Sequence, residues 1–173
     1  MKSLTFWKTI TNDKSEFLER LIEVLQTAGI QFCVIGGQAV NAYVEPLVSL
    51  DLDLVVAVEQ LEEVEQLLGK VFTVQHFPYS LNVYAKESDL RVQIQTDARY
   101  FPFVERAQIK NVLGLTLPVA SIGDLLAGKI WAFQDTERRA SKRQKDLTDI
   151  ARIVERYPEY EYKIPQEIRE HLL

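Results

Sequence analysis

The chain is poor in the residues that build covalent or metallic scaffolds. Its 173 residues hold one cysteine, Cys33, and two histidines, His76 and His171. One thiol forms no internal disulfide and has no partner at zinc-binding spacing, which excludes disulfide frameworks, redox pairs and structural zinc. No stretch approaches the roughly 18 consecutive apolar residues of a membrane span, so no membrane role is expected. The opening MKSLTFWKTITNDKSEF is too polar for a signal peptide, and a cytoplasmic protein is expected. Repeats, low-complexity tracts and long linkers are missing as well. What is present, 47% apolar and 26% charged residues, is the balance of a globular domain and excludes wholesale disorder. A chain of this length buries about 70% of its unfolded surface, enough for one core. A single domain over 1–173 is expected, about 13–120 forming a sheet with its helices and about 121–173 a helical subregion.

Basic residues are also in deficit, with a net charge of -5. The average hides a division. RRASKRQK, from Arg138 to Lys145, holds five cations and no acid, which leaves 15 cations against 25 acids elsewhere. The sign of the average therefore says little about a partner.

Periodicity orders the elements. DKSEFLERLIEVLQTA spaces Phe17, Leu18, Leu21, Ile22 and Leu25 as a helix, with Ser15 or Asp13 to cap it and Gly29 to stop it. FCVIGG reads as a buried strand opening into a turn, and residues 38–44 as a short helix starting there. In SLDLDLVVAV, alternation puts Ser49, Asp51 and Asp53 on one face and Leu50, Leu52 and Leu54 on the other. EQLEEVEQLLGKVF is a second helix, followed by strands at 71–75, 81–86 and 90–96, with a turn at Glu87-Ser88-Asp89. Weaker extended signals surround Gly114 and Pro118. SIGDLLAGKIWAF, capped by Ser121, and SKRQKDLTDIARIVERY are helices, and Pro165 opens a last short one. The order predicts an α/β (α+β) domain, a mixed sheet flanked by helices with a helical C-terminal subregion.

Asp51 and Asp53 carry the chemical signal. Two carboxylates on one face of an apolar strand repel each other unless a cation compensates them. Mg²⁺ suits them, because it takes a few carboxylates and leaves its other positions to water and phosphate oxygens. Gly36-Gly37 lies about 15 residues earlier and offers backbone N–H groups at a helix start, a place suited to phosphate. Alone, a Gly-Gly pair is a tight turn and an Asp-x-Asp pair an exposed strand end. Together, with a helix between, they point to a metal–nucleotide site.

The segment VIGGQAVNAYVEPLVSLDLDLVV resembles the signature of the nucleotidyltransferase superfamily, polymerase-β-like, and within it the AbiEii/AbiGii toxin-type or minimal nucleotidyltransferases. DLLAGKIWAFQDTERRASKRQKDLTDIARIVE is similar to the helical portion that follows their catalytic sheet. The resemblance implies that Gly36 and Gly37 hold nucleotide phosphates and that Asp51 and Asp53 bind Mg²⁺ (or Mn²⁺). It also implies a third acid on a neighbouring strand, completing a two-metal site. The matching strand, LRVQIQTD, carries Gln93 there, with Gln95 on the same face and Asp97 at the strand end as the available carboxylate. Gln93 coordinates through a carbonyl but brings no charge and is no base. Where many relatives carry a basic residue before the Asp-x-Asp, this chain has Leu47 and Val48.

The basic run has two readings, a solvated helix face or a contact of Lys142, Arg143 or Lys145 with triphosphate or an RNA backbone. Lys129 interrupts an apolar helix. A lone lysine there snorkels to solvent, whereas the resemblance implies a nucleotide-phosphate contact. Trp131, Phe133, Phe101 and Phe103 read as packing, His76 as a loop residue and Cys33 as an inert core thiol. The expected activity is Mg²⁺-dependent transfer of a nucleoside monophosphate from an NTP to a hydroxyl of RNA, tRNA above all, or of protein. By resemblance the chain is the toxin of a toxin–antitoxin pair, with a cognate antitoxin as partner. Gln93 favours the alternative, a catalytically impaired nucleotide- or RNA-binding module acting as a regulator or partner subunit.

Overall fold

The computed structural model describes residues 3–13 and 16–172. Seven strands form one mixed sheet in the order β3-β4-β5-β2-β1-β7-β6. They are β1 (Phe32–Ile35), β2 (Asp51–Val56), β3 (Thr73–Phe77), β4 (Ser80–Tyr84), β5 (Arg91–Gln95), β6 (Gln108–Val112) and β7 (Leu115–Val119). The helices are α1 (Ser3–Ile10), α2 (Phe17–Thr27), α3 (Gly36–Asn41), α4 (Leu61–Gly69), α5 (Ile122–Gln134), α6 (Ala140–Arg156) and α7 (Gln166–Arg169). At the centre β1 runs antiparallel to β2, and each has a parallel neighbour, β7 and β5 respectively.

Alternation along β2 separates two environments. Leu52 and Leu54 are fully buried, as are their neighbours Val92 and Ile94 on β5 and Val83 on β4. This apolar face is covered by α2 and α4, where Phe17 meets Phe72 edge to face at 5.0 Å. The opposite face carries Asp51 and Asp53, and there α3, α5 and α6 cover the middle of the sheet. The α2 helix begins where Asp13 accepts from the Phe17 backbone N–H at 3.1 Å. The alternative cap, Ser15, lies outside the described residues. Ser121 caps α5 by accepting from the Asp124 N–H at 3.2 Å.

Three details differ from the sequence reading. The segment 3–10 is helical: Trp7 is buried as its anchor with Ile10 packed against the core, and eight residues are too short a window for the period to stand out. The third strand is displaced by two residues, because Phe72 turns into the core before pairing begins. His76 is consequently a strand residue, paired opposite Leu81 and bonded to Glu65 of α4 at 2.7 Å, and not a loop residue. The signals around Gly114 and Pro118 resolve into the β6–β7 hairpin, whose turn puts Leu113 and Gly114 at φ of 56° and 90°. Cys33 is buried without solvent contact, and burial pushes its thiol up to about 12, where it is inert.

Candidate active site

The glycine turn follows β1 directly and opens α3. Ile35 pairs with Asp53 across the β1–β2 ladder, which brings the turn against that aspartate. Gly36 has φ of +70°, and a Cβ there would collide with the Asp53 carboxylate. Glycine is therefore required twice, for backbone conformation and for room. Gly36→Ala is expected to lower stability by about 1–3 kcal/mol through strain and to displace Asp53. Thermal unfolding and metal-binding calorimetry of that variant check this.

Asp51 and Asp53 have opposite circumstances. Asp51 is held by two cations, Arg91 Nε at 2.8 Å and Lys142 Nζ at 3.1 Å. Asp53 has no hydrogen-bond or ion-pair partner for its carboxylate among the described residues. Burial raises its pKa from 3.8 to about 6, Asp51 adds to the rise, and the more distant Lys129, Lys142 and Arg138 oppose it. A desolvated carboxylate with no cation in contact, beside a second one on the same strand face, is a fitting place for a divalent metal. Among the described residues no cluster of three or more acidic, histidine or cysteine side chains could hold a metal. Asp51 and Asp53 would therefore be its protein ligands, the other positions falling to water and phosphate.

A cleft with two chambers meets at Asp53. The first, about 180 Å³, is bounded by Gly37, Ser49, Asp51 and Asp53 on the sheet side and by Lys142, Lys145 and Arg152 of α6. The second, about 90 Å³, is lined by Gly36, Asp53, Gln93, Gln95, Tyr100 and Phe103. Lys129, Arg138 and Asp146 border both. The helical wall is fixed by a buried ionic network. Lys129 Nζ reaches Asp149 at 2.7 Å and Asp146 at 3.1 Å, Arg138 bonds Asp146 at 2.7 Å and Arg152 bonds Asp149 at 2.6 Å. Burial pulls the Lys129 ammonium down, but Asp149 and Asp146 more than offset it and its pKa is raised.

The candidate residues fall into distinct places. Gly36, Gly37, Asp51, Asp53, Lys129, Lys142 and Lys145 all line the cleft. Gln93 pairs in register with Asp53 and lines the second chamber. Lys145 is exposed and has no ion-pair partner among the described residues. Lys129 does not snorkel to solvent; its side chain is 12% exposed and its charge is shared by two aspartates. Arg143 lies elsewhere. It donates to the Phe133 carbonyl at 2.7 Å and stacks over that ring, tying α6 to the end of α5 and leaving it outside the cleft. Asp97 is also turned away. It pairs with Arg99 at 2.7 Å, which holds its carboxyl below the usual range, and it caps the 3₁₀ turn at 98–103. Neither chamber is lined by Asp97.

Sequence reading missed Arg91, Arg138, Asp146 and Arg152. Arg91 was visible in the alternation that puts it on the Gln93 face. Asp146 and Asp149, three apart and flanking Leu147, stand at the edge of the apolar stripe of α6, a position where an acid needs a cation. Arg152 pairs locally with Asp149, three residues earlier, but its reach to Asn41 and the Glu45 carbonyl, more than 100 residues earlier, has no signal in the sequence.

A family model described as the nucleotidyl transferase AbiEii toxin of type IV toxin–antitoxin systems matches residues 9–172. No curated protein sequence matches the chain. Among solved structures, ANT(2'')-Ia in complex with adenylyl-2''-tobramycin is 12% identical, with 91% of this chain and 98% of that chain covered and a TM-score of 0.63. The lincomycin-bound lincosamide antibiotic adenylyltransferase LnuA is 13% identical, over 81% of this chain and 98% of that one, at 0.54. An antigenic nucleotidyltransferase-like protein from Paracoccidioides brasiliensis is 17% identical, over 86% and 75%, at 0.52. At these identities the likeness is one of fold.

Proposed function

The chain belongs to the AbiEii nucleotidyltransferase toxin family, and from that premise we propose that it moves a nucleoside monophosphate from an NTP to a hydroxyl of RNA at the Asp51–Asp53 cleft. The observation that carries this reading is Asp53, a partly buried carboxylate with no hydrogen-bond or ion-pair partner among the described residues, facing a wall of cations across a cleft. Family membership favours transfer over the binding-only alternative that Gln93 raised.

Each chamber suits one reactant. The triphosphate fits the first, where Lys145 has no ion-pair partner among the described residues and Lys142 would be free to meet it if Asp51 held a metal. Lys129 is committed to Asp146 and Asp149, so its part is to hold the wall in place and lend positive potential. Asp51 and Asp53 would hold Mg²⁺ or Mn²⁺, which would supply Lewis-acid charge stabilisation at the reacting phosphate. The acceptor hydroxyl fits the second chamber, beside Gln93. Its oxygen bonds to the α-phosphorus, the bond from that phosphorus to the pyrophosphate oxygen breaks, and pyrophosphate leaves. Gln93 cannot take the hydroxyl proton, and Asp146 is neutralised by Lys129 and Arg138. With Asp51 and Asp53 committed to the metal, the proton leaves to water in the open cleft.

Incubating the protein with each α-labelled NTP, Mg²⁺ and total RNA tests the reading. Label in RNA is expected. Label in neither RNA nor protein would end it, and label in protein would change the acceptor. Lys145→Ala is expected to raise the KM for NTP about tenfold, the loss of one charge-assisted phosphate contact of roughly 1.4 kcal/mol, with Tm unchanged because the side chain is exposed and unpaired. As the family belongs to toxin–antitoxin systems, a cognate antitoxin is the protein partner this reading implies.

A further inference from the structure

The sheet extends past the cleft, and its far half is a surface that takes no part in holding metal or triphosphate. On β3, β4 and β5 the side chains alternate as on β2. Val74, Leu81, Val83, Val92 and Ile94 face the core, while the other set shares the face of Asp53. Across four strands the register sets Gln75 opposite Asn82, Asn82 opposite Gln93, and Gln93 opposite Asp53. At the usual strand spacing this row of amides runs about 14 Å from the catalytic carboxylate. Next to it lie Phe77, 50% exposed, and in the β3–β4 turn Tyr79, 68% exposed. Arg91, 57% exposed, stands at the junction with Asp51. None of the side chains that β3, β4 and β5 turn to this face is acidic, in a chain with 25 acids and 20 cations.

We propose that this open face of β3, β4 and β5 seats the acceptor and that the acceptor is a single-stranded RNA end, a proposal that rests on the nucleotidyl-transfer reading of the cleft. Three properties match that ligand. Side-chain amides present both donors and acceptors to base edges, exposed rings on strands offer stacking platforms, and the absence of acid spares the phosphate backbone repulsion. The surface is continuous with the reaction site, because Gln93 and Gln95 belong to both the face and the second chamber. A single strand presents free base edges and faces to these groups, which a duplex keeps paired and stacked. The apolar component is too small for a protein partner, whose interface needs a larger desolvated centre.

Fluorescence anisotropy with a 5′-labelled eight-nucleotide RNA tests this, run beside calorimetry with the Mg²⁺ complex of a non-transferable NTP analogue. Gln75→Glu and Phe77→Ser change exposed side chains outside the cleft. Each is expected to weaken RNA binding about tenfold, with analogue affinity and Tm unchanged, while Gln26→Glu on the exposed side of α2 has no effect. The same RNA in a duplex is expected to bind at least tenfold more weakly. RNA affinity indifferent to both substitutions, or equal for single strand and duplex, would overturn the proposal even if label moves to some other acceptor. RNA affinity that depends on Gln75 and Phe77 in a protein that transfers no label would sustain this surface and count against the transfer reading instead.

Discussion

Asp53→Asn is expected to abolish nucleotidyl transfer and, in the same protein, to stabilise the metal-free fold. Loss of a metal-holding carboxylate removes several kcal/mol of charge stabilisation, which corresponds to a fall in rate of at least about 10³-fold. The gain in stability follows from the burial of the same group. Folded Asp53 keeps its proton up to a pH of about 6, whereas the reference carboxyl releases it at 3.8. Its contribution is thus fully present below 3.8 and is lost as pH rises through 6. At pH 8 the ionised wild-type carboxylate costs about 2 kcal/mol that asparagine does not, and Asp53→Asn raises the metal-free Tm by roughly 4–8 °C. The difference closes as pH falls below 4. Saturating Mg²⁺ with an NTP analogue stabilises wild type and not the variant, reversing their order. A variant that loses activity and also loses stability at pH 8 would mean that Asp53 is a structural group. Such opposition of stability and activity is the mark of a functional site.

The second large effect lies in the wall facing it. Lys129→Met is expected to cost about 3–5 kcal/mol, because it leaves two nearly buried carboxylates short of a cation. The Asp146 side chain is 2% exposed and that of Asp149 10%. Each keeps one arginine, which places the expectation toward the lower end. Denaturant unfolding of Lys129→Met and of Lys129→Met with Asp146→Asn separates charge from packing. The second change is expected to recover roughly 1–2 kcal/mol, since it withdraws one of the two unbalanced charges. If Lys129→Met alone costs less than about 1 kcal/mol, the network is not what holds α5 to α6.

What the sequence disclosed followed the range of the forces involved. Apolar period two on β2 and period 3.6 on α2, α5 and α6 are local, and both were legible. So was the pairing of Gly36-Gly37 with Asp51 and Asp53, because strand β1 and strand β2 are neighbours in chain and in space. The single parallel step from β2 to β5, which sets Gln93 beside Asp53, followed from resemblance to a family and not from pattern. Asp97 and Arg143 were misplaced for one reason. Each has a near partner, Arg99 two residues away and the Phe133 carbonyl ten residues away, that takes its hydrogen bonds before the cleft can. Arg91 meets Asp51 through tertiary contact alone, whereas Arg138 and Arg152 have acids eight and three residues away, a local signal that does not reveal their place in the cleft. Lys142 reads in the sequence as a phosphate contact, and in the structure it bonds Asp51. Nothing local distinguishes a cation that pairs with a carboxylate from one that meets a ligand.

The role of Asp51 and Asp53 as the metal–nucleotide centre of a transferase is decided by a single-turnover reaction. With α-labelled NTP, Mg²⁺ and RNA, wild-type protein is expected to incorporate label into RNA and release pyrophosphate in equal amounts, and Asp51→Ala and Asp53→Asn to do neither. Transfer by either variant at the wild-type rate, or pyrophosphate released by wild type with no label incorporated into any acceptor, would contradict it.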